Sequence, residues 1–265
     1  MERVQAGGIQ LAVERRGSGV PLLCVHGFPL NHRMWNPQSD GLADCCEVIA
    51  PDLRGMGQSE AASGTITMAQ YADDLAALLD AMGITEPVVF CGLSMGGYVA
   101  WQFAERYPER LRGLILCDTR AAADSEDARN GRMKLIELVE RYGAEPVANT
   151  MAGKLLAESN AAARPELVTM LRDMILGTAP SGITAALRGM AERPDMTGML
   201  NTIGVPALVI CGDEDAITPA DEMEQFARLI PDATFLRVPQ AGHMAPLEQP
   251  EIVNRAIREF LACPM

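Results

Sequence analysis

Basic charge is scarce in this 265-residue chain. Its 22 Lys and Arg stand against 35 Asp and Glu, a formal net charge of −13 with an isoelectric point near 4.7. Such a balance argues against nucleic acid or an anionic membrane as a partner and for a well-solvated acidic surface. No apolar run approaches the roughly 18–20 residues that a membrane span needs. The opening residues, MERVQAGGIQLAVERRGSG, lack the apolar stretch of a signal peptide, so a cytoplasmic protein is expected. Internal repeats and low-complexity tracts are absent. Cysteine is present without forming a framework: 7 is an odd number. Cys24, Cys91, Cys117 and Cys211 each sit in an apolar run and read as small buried hydrophobes in a reducing compartment. The adjacent Cys45 and Cys46 have no CxxC partner and no His nearby, so no zinc site is expected. Histidine is scarce as well, with only 3 in the chain: His26, His32 and His243.

What is there is a globular composition, 48% hydrophobic, in which short β-rich runs alternate with helical patterns. GIQLAVERR alternates weakly, like an edge strand. VPLLCVHG, EVIAPD, PVVFCG, LRGLILCD and VPALVICGD are short apolar runs suited to strands buried on both faces. Between the first runs and PVVFCG lies ITMAQYADDLAALLDAMG, with apolar residues at helical spacing. Thr67 and Gln70 are placed for a capping box there, and Gly83 for a stop. GGYVAWQFAERY, ADEMEQFARLI and PEIVNRAIREFLA also read as helices, and ATFLRVP as a strand. The alternation predicts βαβ units, hence an α/β fold with a mostly parallel sheet flanked by helices. Ligands on such sheets sit beyond the carboxyl ends of the strands.

One stretch breaks the rhythm. No strand is evident from Arg120 to Asn201, and helical patterns recur in ARNGRMKLIELVERYG and PELVTMLRDMIL. The expected organisation is therefore a core made of residues 1–119 and 202–265, with 120–201 inserted as a helical cap. The methionines Met151, Met170, Met174, Met190, Met196 and Met199 are placed either to line an adaptable apolar pocket or to fill helix cores.

The chemistry is expected at Gly92-Leu93-Ser94-Met95-Gly96, a G-x-S-x-G sequence that follows one predicted strand and opens a predicted helix. A sharp turn there pushes the Ser94 hydroxyl outward, and side chains at the flanking glycines would collide with strand and helix. The helix start supplies N–H groups to a developing negative charge. A serine hydroxyl needs a base. His243, in the loop AGHMAPLEQP between the last strand and the last helix, is the candidate. The base needs a carboxylate partner. Asp215 in VICGDEDAITP is favoured, Asp213 reads as a turn residue, and Asp118 in LILCDTR is the competitor because it too ends a strand.

These motifs together resemble the α/β-hydrolase superfamily, in its serine carboxylesterase and 3-oxoadipate enol-lactonase-like branch. VHGFP is similar to the family's His-Gly oxyanion loop, DLRGMGQS to its D-x-R-G-x-G-x-S loop, and the order Ser94, Asp215, His243 to its order of nucleophile, acid and histidine. The resemblance implies an oxyanion hole from the backbone N–H groups of Phe28 and Met95, His26 as a loop organiser and a structural Ser59. It implies hydrolysis of carboxylic esters, with no metal and no organic cofactor; the cap methionines and the rarity of fixed charge in the motif loops point to small to medium apolar substrates. Alternatives are an enol-lactonase, which needs a cap arginine (Arg120, Arg132 or Arg188) to hold a free carboxylate, then a perhydrolase or a slow-turnover ligand receptor. The expected partner is a small ester or lactone, not nucleic acid or membrane.

Overall fold

The computed structural model describes residues 1–263. The chain begins with two strands, β1 (Glu2–Ala6) and β2 (Ile9–Gly17), and then alternates: β3 (Val20–Val25), α1 (Asn36–Leu42), β4 (Cys46–Pro51), α2 (Met68–Ala81), β5 (Val88–Leu93), α3 (Met95–Arg106) and β6 (Leu111–Cys117). Five helices follow without a strand: α4 (Glu126–Tyr142), α5 (Glu145–Met151), α6 (Glu158–Ala163), α7 (Pro165–Leu176) and α8 (Pro180–Ala191). The chain closes with β7 (Ala207–Gly212), α9 (Ala220–Ala227), β8 (Ala233–Val238), α10 (Ala245–Glu248) and α11 (Pro250–Ala262). The eight strands form one sheet in the order β1-β2-β4-β3-β5-β6-β7-β8. β2 is antiparallel to both β1 and β4, and every later pairing is parallel.

The apolar runs occupy the middle of this sheet because strands covered by helices on both faces can expose no side chain to water. Every residue of β5 and β7 is buried. A Leu or Val fully buried in such a strand stabilises the fold by about 1.5–3 kcal/mol. The edge assignment of GIQLAVERR is corrected: β2 has a neighbour on each side, and the edge is β1. Only Ala6 of ERVQA is buried, so β1 carries almost no hydrophobic signal and is held by its ladder to β2.

α2 begins where Thr67 Oγ1 accepts from the Gln70 N–H at 3.1 Å. The reciprocal half of the expected capping box is replaced, because the Gln70 amide donates to Asp74 instead. Gly83, at φ 72°, ends the helix. The buried face of α2 comprises Met68, Tyr71, Ala72, Leu75 and Leu79, the helical spacing that the sequence shows.

Helices α4 to α8 leave and rejoin the rest of the chain at one place, where the Met196 N–H donates to the Ala121 carbonyl at 2.9 Å. They rest on loops of the sheet's carboxyl edge. The Ile66 N–H donates to the Ala185 carbonyl at 3.2 Å, and the Thr178 hydroxyl donates to the Pro29 carbonyl at 3.1 Å. No helix among the described residues is long and apolar enough to cross a membrane.

Candidate active site

Ser94 sits between the last residue of β5 and the first of α3, with φ 54° and ψ −113°. That region is nearly closed to side chains, and holding a non-glycine residue there costs about 1–3 kcal/mol. The turn is over-determined. The Ser94 N–H donates to the Cys117 carbonyl at 2.9 Å, and its carbonyl accepts from the Gly97 N–H at 2.9 Å and the Thr119 hydroxyl at 2.7 Å. The crossing leaves no room beside it: a Cβ on Gly96 would lie 2.2 Å from the Val25 carbonyl oxygen, and one on Gly92 would lie 2.4 Å from that of Gly96. Met95 opens α3, so its N–H has no intrahelical partner and lies next to the serine.

His243 follows β8 and is 3% exposed. Its Nδ1 lies 2.8 Å from Asp215 Oδ2. Asp215 lies in the loop after β7 and accepts further bonds from the Ile217 N–H (2.7 Å), the Thr218 N–H (3.1 Å) and the Thr218 hydroxyl. Burial pushes the Asp215 carboxyl up, but the His243 hydrogen bond and charge, Thr218 and the Ile217 N–H outweigh it and hold the pKa below the usual carboxylate value. The contact engages Nδ1 with the carboxylate and turns Nε2, at the other end of the ring, away from Asp215.

Asp118 is not bonded to His243. It is fully buried at the end of β6, where Oδ1 accepts from the Gly212 N–H at 2.8 Å and Oδ2 from the Ala245 N–H at 3.3 Å. Burial first, and then the charge of Asp215, push its pKa well above the usual range. Asp213 is exposed and pairs with Arg237 at 3.1 Å.

Asp118, Cys211 and Asp215 form, among the described residues, a close set of donors of the kind that bind metals. Each already has a protein partner; the Cys211 thiol donates to the Thr218 carbonyl at 3.2 Å. Burial and the two carboxyls raise the thiol pKa far above its ordinary value, whereas a metal ligand must lose that proton. The set fits a hydrogen-bonded core better than a metal centre.

Ser94 and His243 face one cavity of about 100 Å³. Gly27, Phe28 and Leu30 from the loop after β3 form one wall, and Met151, Leu155 and Met190 from the segment between β6 and β7 another. Of the six methionines weighed as pocket lining, only Met151 and Met190 are there; Met174 is buried within the insert, and Met196 and Met199 border separate hollows. Met244, beside His243, joins the lining unannounced by any helical spacing. Met151 and Ile217 also border a wider open groove of about 570 Å³.

Three polar features complete the surroundings. His26 is fully buried: its Nδ1 donates to the Gly27 carbonyl at 2.9 Å and its Nε2 accepts from the Leu53 N–H at 2.9 Å, which ties the loop after β3 to the loop after β4. Ser59 accepts from the Ala12 N–H at 2.9 Å and donates to the Asp52 carbonyl, a bracing contact away from the cavity. Arg132 alone of the three arginines weighed lines the cavity; Arg120 donates to the Ile217 carbonyl and Arg188 to Glu140. Arg132 pairs with Asp124, which Arg193 shares, so one carboxylate faces two guanidinium groups.

The sheet, the serine elbow and the buried histidine define an α/β hydrolase by fold and arrangement. Residues 20–250 match the family model for the alpha/beta hydrolase fold, and the chain belongs to that family. It is 32% identical over 241 residues to 3-oxoadipate enol-lactonase 2 of Acinetobacter baylyi, covering 91% of this chain and 88% of the relative. Among solved structures it is similar to a thermophilic esterase from Thermogutta terrifontis with malate bound. The identity is 48% and the TM-score 0.95, with 98% of this chain and 97% of the other covered. It is also similar to the enol-lactonase of Burkholderia xenovorans LB400, at 25% identity and TM-score 0.91, with 99% and 100% covered.

Proposed function

We propose that the protein hydrolyses carboxylic esters of small to medium apolar substrates through a Ser94–His243–Asp215 triad and an acyl-enzyme. The observation that carries this reading is the 2.8 Å contact between His243 Nδ1 and Asp215 in the wall of the cavity that Ser94 faces. Ser94 Oγ attacks the ester carbonyl carbon as His243 Nε2 takes its proton. The N–H groups of Phe28 and Met95 hold the oxyanion of the tetrahedral intermediate. The intermediate collapses, the C–O bond to the alcohol breaks, and His243 returns its proton to the leaving oxygen. Water then attacks the acyl-enzyme with His243 again as base, releasing the acid and restoring Ser94. The helices between β6 and β7 act as a cap: a cavity of about 100 Å³ suits a short acyl chain, and the groove beyond Met151 and Ile217 receives the alcohol side.

The test is hydrolysis of p-nitrophenyl esters from acetate to decanoate by the wild type and Ser94→Ala. Turnover is expected to be highest on the shortest chains and to fall by about 10⁶-fold in kcat in the variant. Little turnover on every ester would sink the esterase reading.

Arg132 favours a second reading, an enol-lactonase that opens a lactone bearing a free carboxylate. A guanidinium at the cavity wall in excess of its carboxylate partner is a suitable anchor. The esterase relative holding malate, a dicarboxylate, and the enol-lactonase relatives support it. On this reading Arg132→Ala raises KM for a carboxylate-bearing lactone about 10- to 100-fold, the loss of a charged hydrogen bond, and leaves KM for p-nitrophenyl acetate unchanged. Equal effects on both substrates would remove the support that Arg132 gives.

A further inference from the structure

Glu248, the last residue of α10, is 2% exposed, and among the described residues no cation pairs with its carboxylate. Four N–H groups solvate it instead, and they divide by origin. Oε1 accepts from the N–H groups of Gly242 (2.8 Å) and Met244 (3.4 Å), the two neighbours of His243. Oε2 accepts from the Ala157 N–H (2.9 Å) and the Asn160 side-chain amide (2.7 Å), both in the inserted segment. That segment runs on directly from Leu155, a wall of the catalytic cavity. The two backbones touch between these bonds: a Cβ on Gly242 would lie 2.5 Å from the Ala157 nitrogen.

A carboxylate has two acceptor oxygens and no proton to donate, and here each oxygen serves one of the two segments. We propose that Glu248 is a positioning residue that sets the histidine loop and the Leu155 wall of the cavity in one frame, so that His243 and the bound acyl group keep a fixed relation. The inference rests on the ester-hydrolase reading above. Glutamine has the same shape but only one acceptor oxygen, and its NH₂ must face one pair of N–H groups. It cannot satisfy both segments, so the frame loosens while the volume of the site is kept.

The experiment compares wild type, Glu248→Gln and Asn160→Ala by kcat and KM on p-nitrophenyl acetate and by amide hydrogen exchange. Glu248→Gln is expected to lower kcat about 10- to 100-fold, the scale of a misplacement near 1 Å, with KM nearly unchanged. Its exchange is expected to accelerate together in peptides covering 155–160 and 239–244. Asn160→Ala, which removes one donor to Oε2 together with the Asn160 bond to the Gln240 carbonyl (2.8 Å) and leaves both acceptor oxygens of Glu248 in place, is expected to raise KM with little change in kcat. A folded Glu248→Gln with wild-type kcat, or faster exchange in only one of the two segments, overturns the proposal. If Glu248→Gln does not fold, Asn160→Ala decides: an unchanged KM overturns the frame. A wild type that turns over no ester, or a Ser94→Ala variant that still does, defeats the hydrolase reading instead, and the exchange data then judge the frame alone.

Discussion

β6 and β7 lie side by side, and each is followed by a buried aspartate, yet the two carboxyls are shifted in opposite directions. Asp118 comes directly after Cys117, with φ 45°, and its oxygens stay against backbone N–H groups at the strand ends. Asp215 comes after Gly212 and a short turn, so its carboxyl clears the sheet and meets His243. Burial raises both carboxyls. Only Asp215 has a histidine, a hydroxyl and two N–H groups to bring it back below the ordinary value; Asp118 is pushed further up by Asp215 itself. Ending a buried strand is therefore not enough to bring an aspartate against a histidine; the turn beyond the strand decides it.

Asp215→Asn breaks the comparison most severely. The amide presents no fixed acceptor to Nδ1, and kcat on p-nitrophenyl acetate is expected to fall about 10⁴-fold. Near-normal turnover would move the acid's role to Asp118. Asp118→Asn is expected to leave kcat within about threefold, because it alters no bond to His243.

Asp118 and Asp215 are also expected to shape stability oppositely. The folded pKa of Asp118 is raised above 3.8, so its contribution is fully present below that pH and is lost as pH rises through the folded value. Wild type is accordingly expected to lose stability relative to Asp118→Asn as urea unfolding is followed from about pH 4 to pH 8. The folded pKa of Asp215 is depressed, so its contribution is present above 3.8 and disappears as pH falls through the folded value. A pH-independent difference between wild type and Asp118→Asn would show that Asp118 titrates normally. Thr218→Val removes one hydroxyl donor from Asp215 and leaves the two backbone N–H donors. A loss of about three- to tenfold in kcat is expected there.

Ser94, Asp215 and His243 are legible as candidates because each sits in a short motif whose spacing follows from a strand, a turn and a helix. The central strands are legible for a related reason: burial on both faces demands continuous apolar runs. β1 is not, since a strand held by its ladder alone needs no apolar face. The lining of the cavity is harder still. Met151 and Met174 have the same chemistry and the same helical setting, and only the packing of α5 and α7 decides that the first faces Ser94. Arg132, Arg120 and Arg188 differ in the same way. Glu248 is visible within AGHMAPLEQP, but nothing in that loop's pattern says that half of its partners come from the insert, far away along the chain.

The single backbone bond between Ala121 and Met196 has a consequence for ancestry. All five inserted helices hang from a doorway one peptide wide, and the residues after Met196 still carry the crossover down to β7 unaided. A recombination event at that doorway would replace the five helices between β6 and β7 while inheriting the strands, the elbow and both aspartates intact. Besides partners for the Ile66 N–H and the Pro29 carbonyl, a newcomer would have to bring a bare stretch of backbone to lay against Gly242.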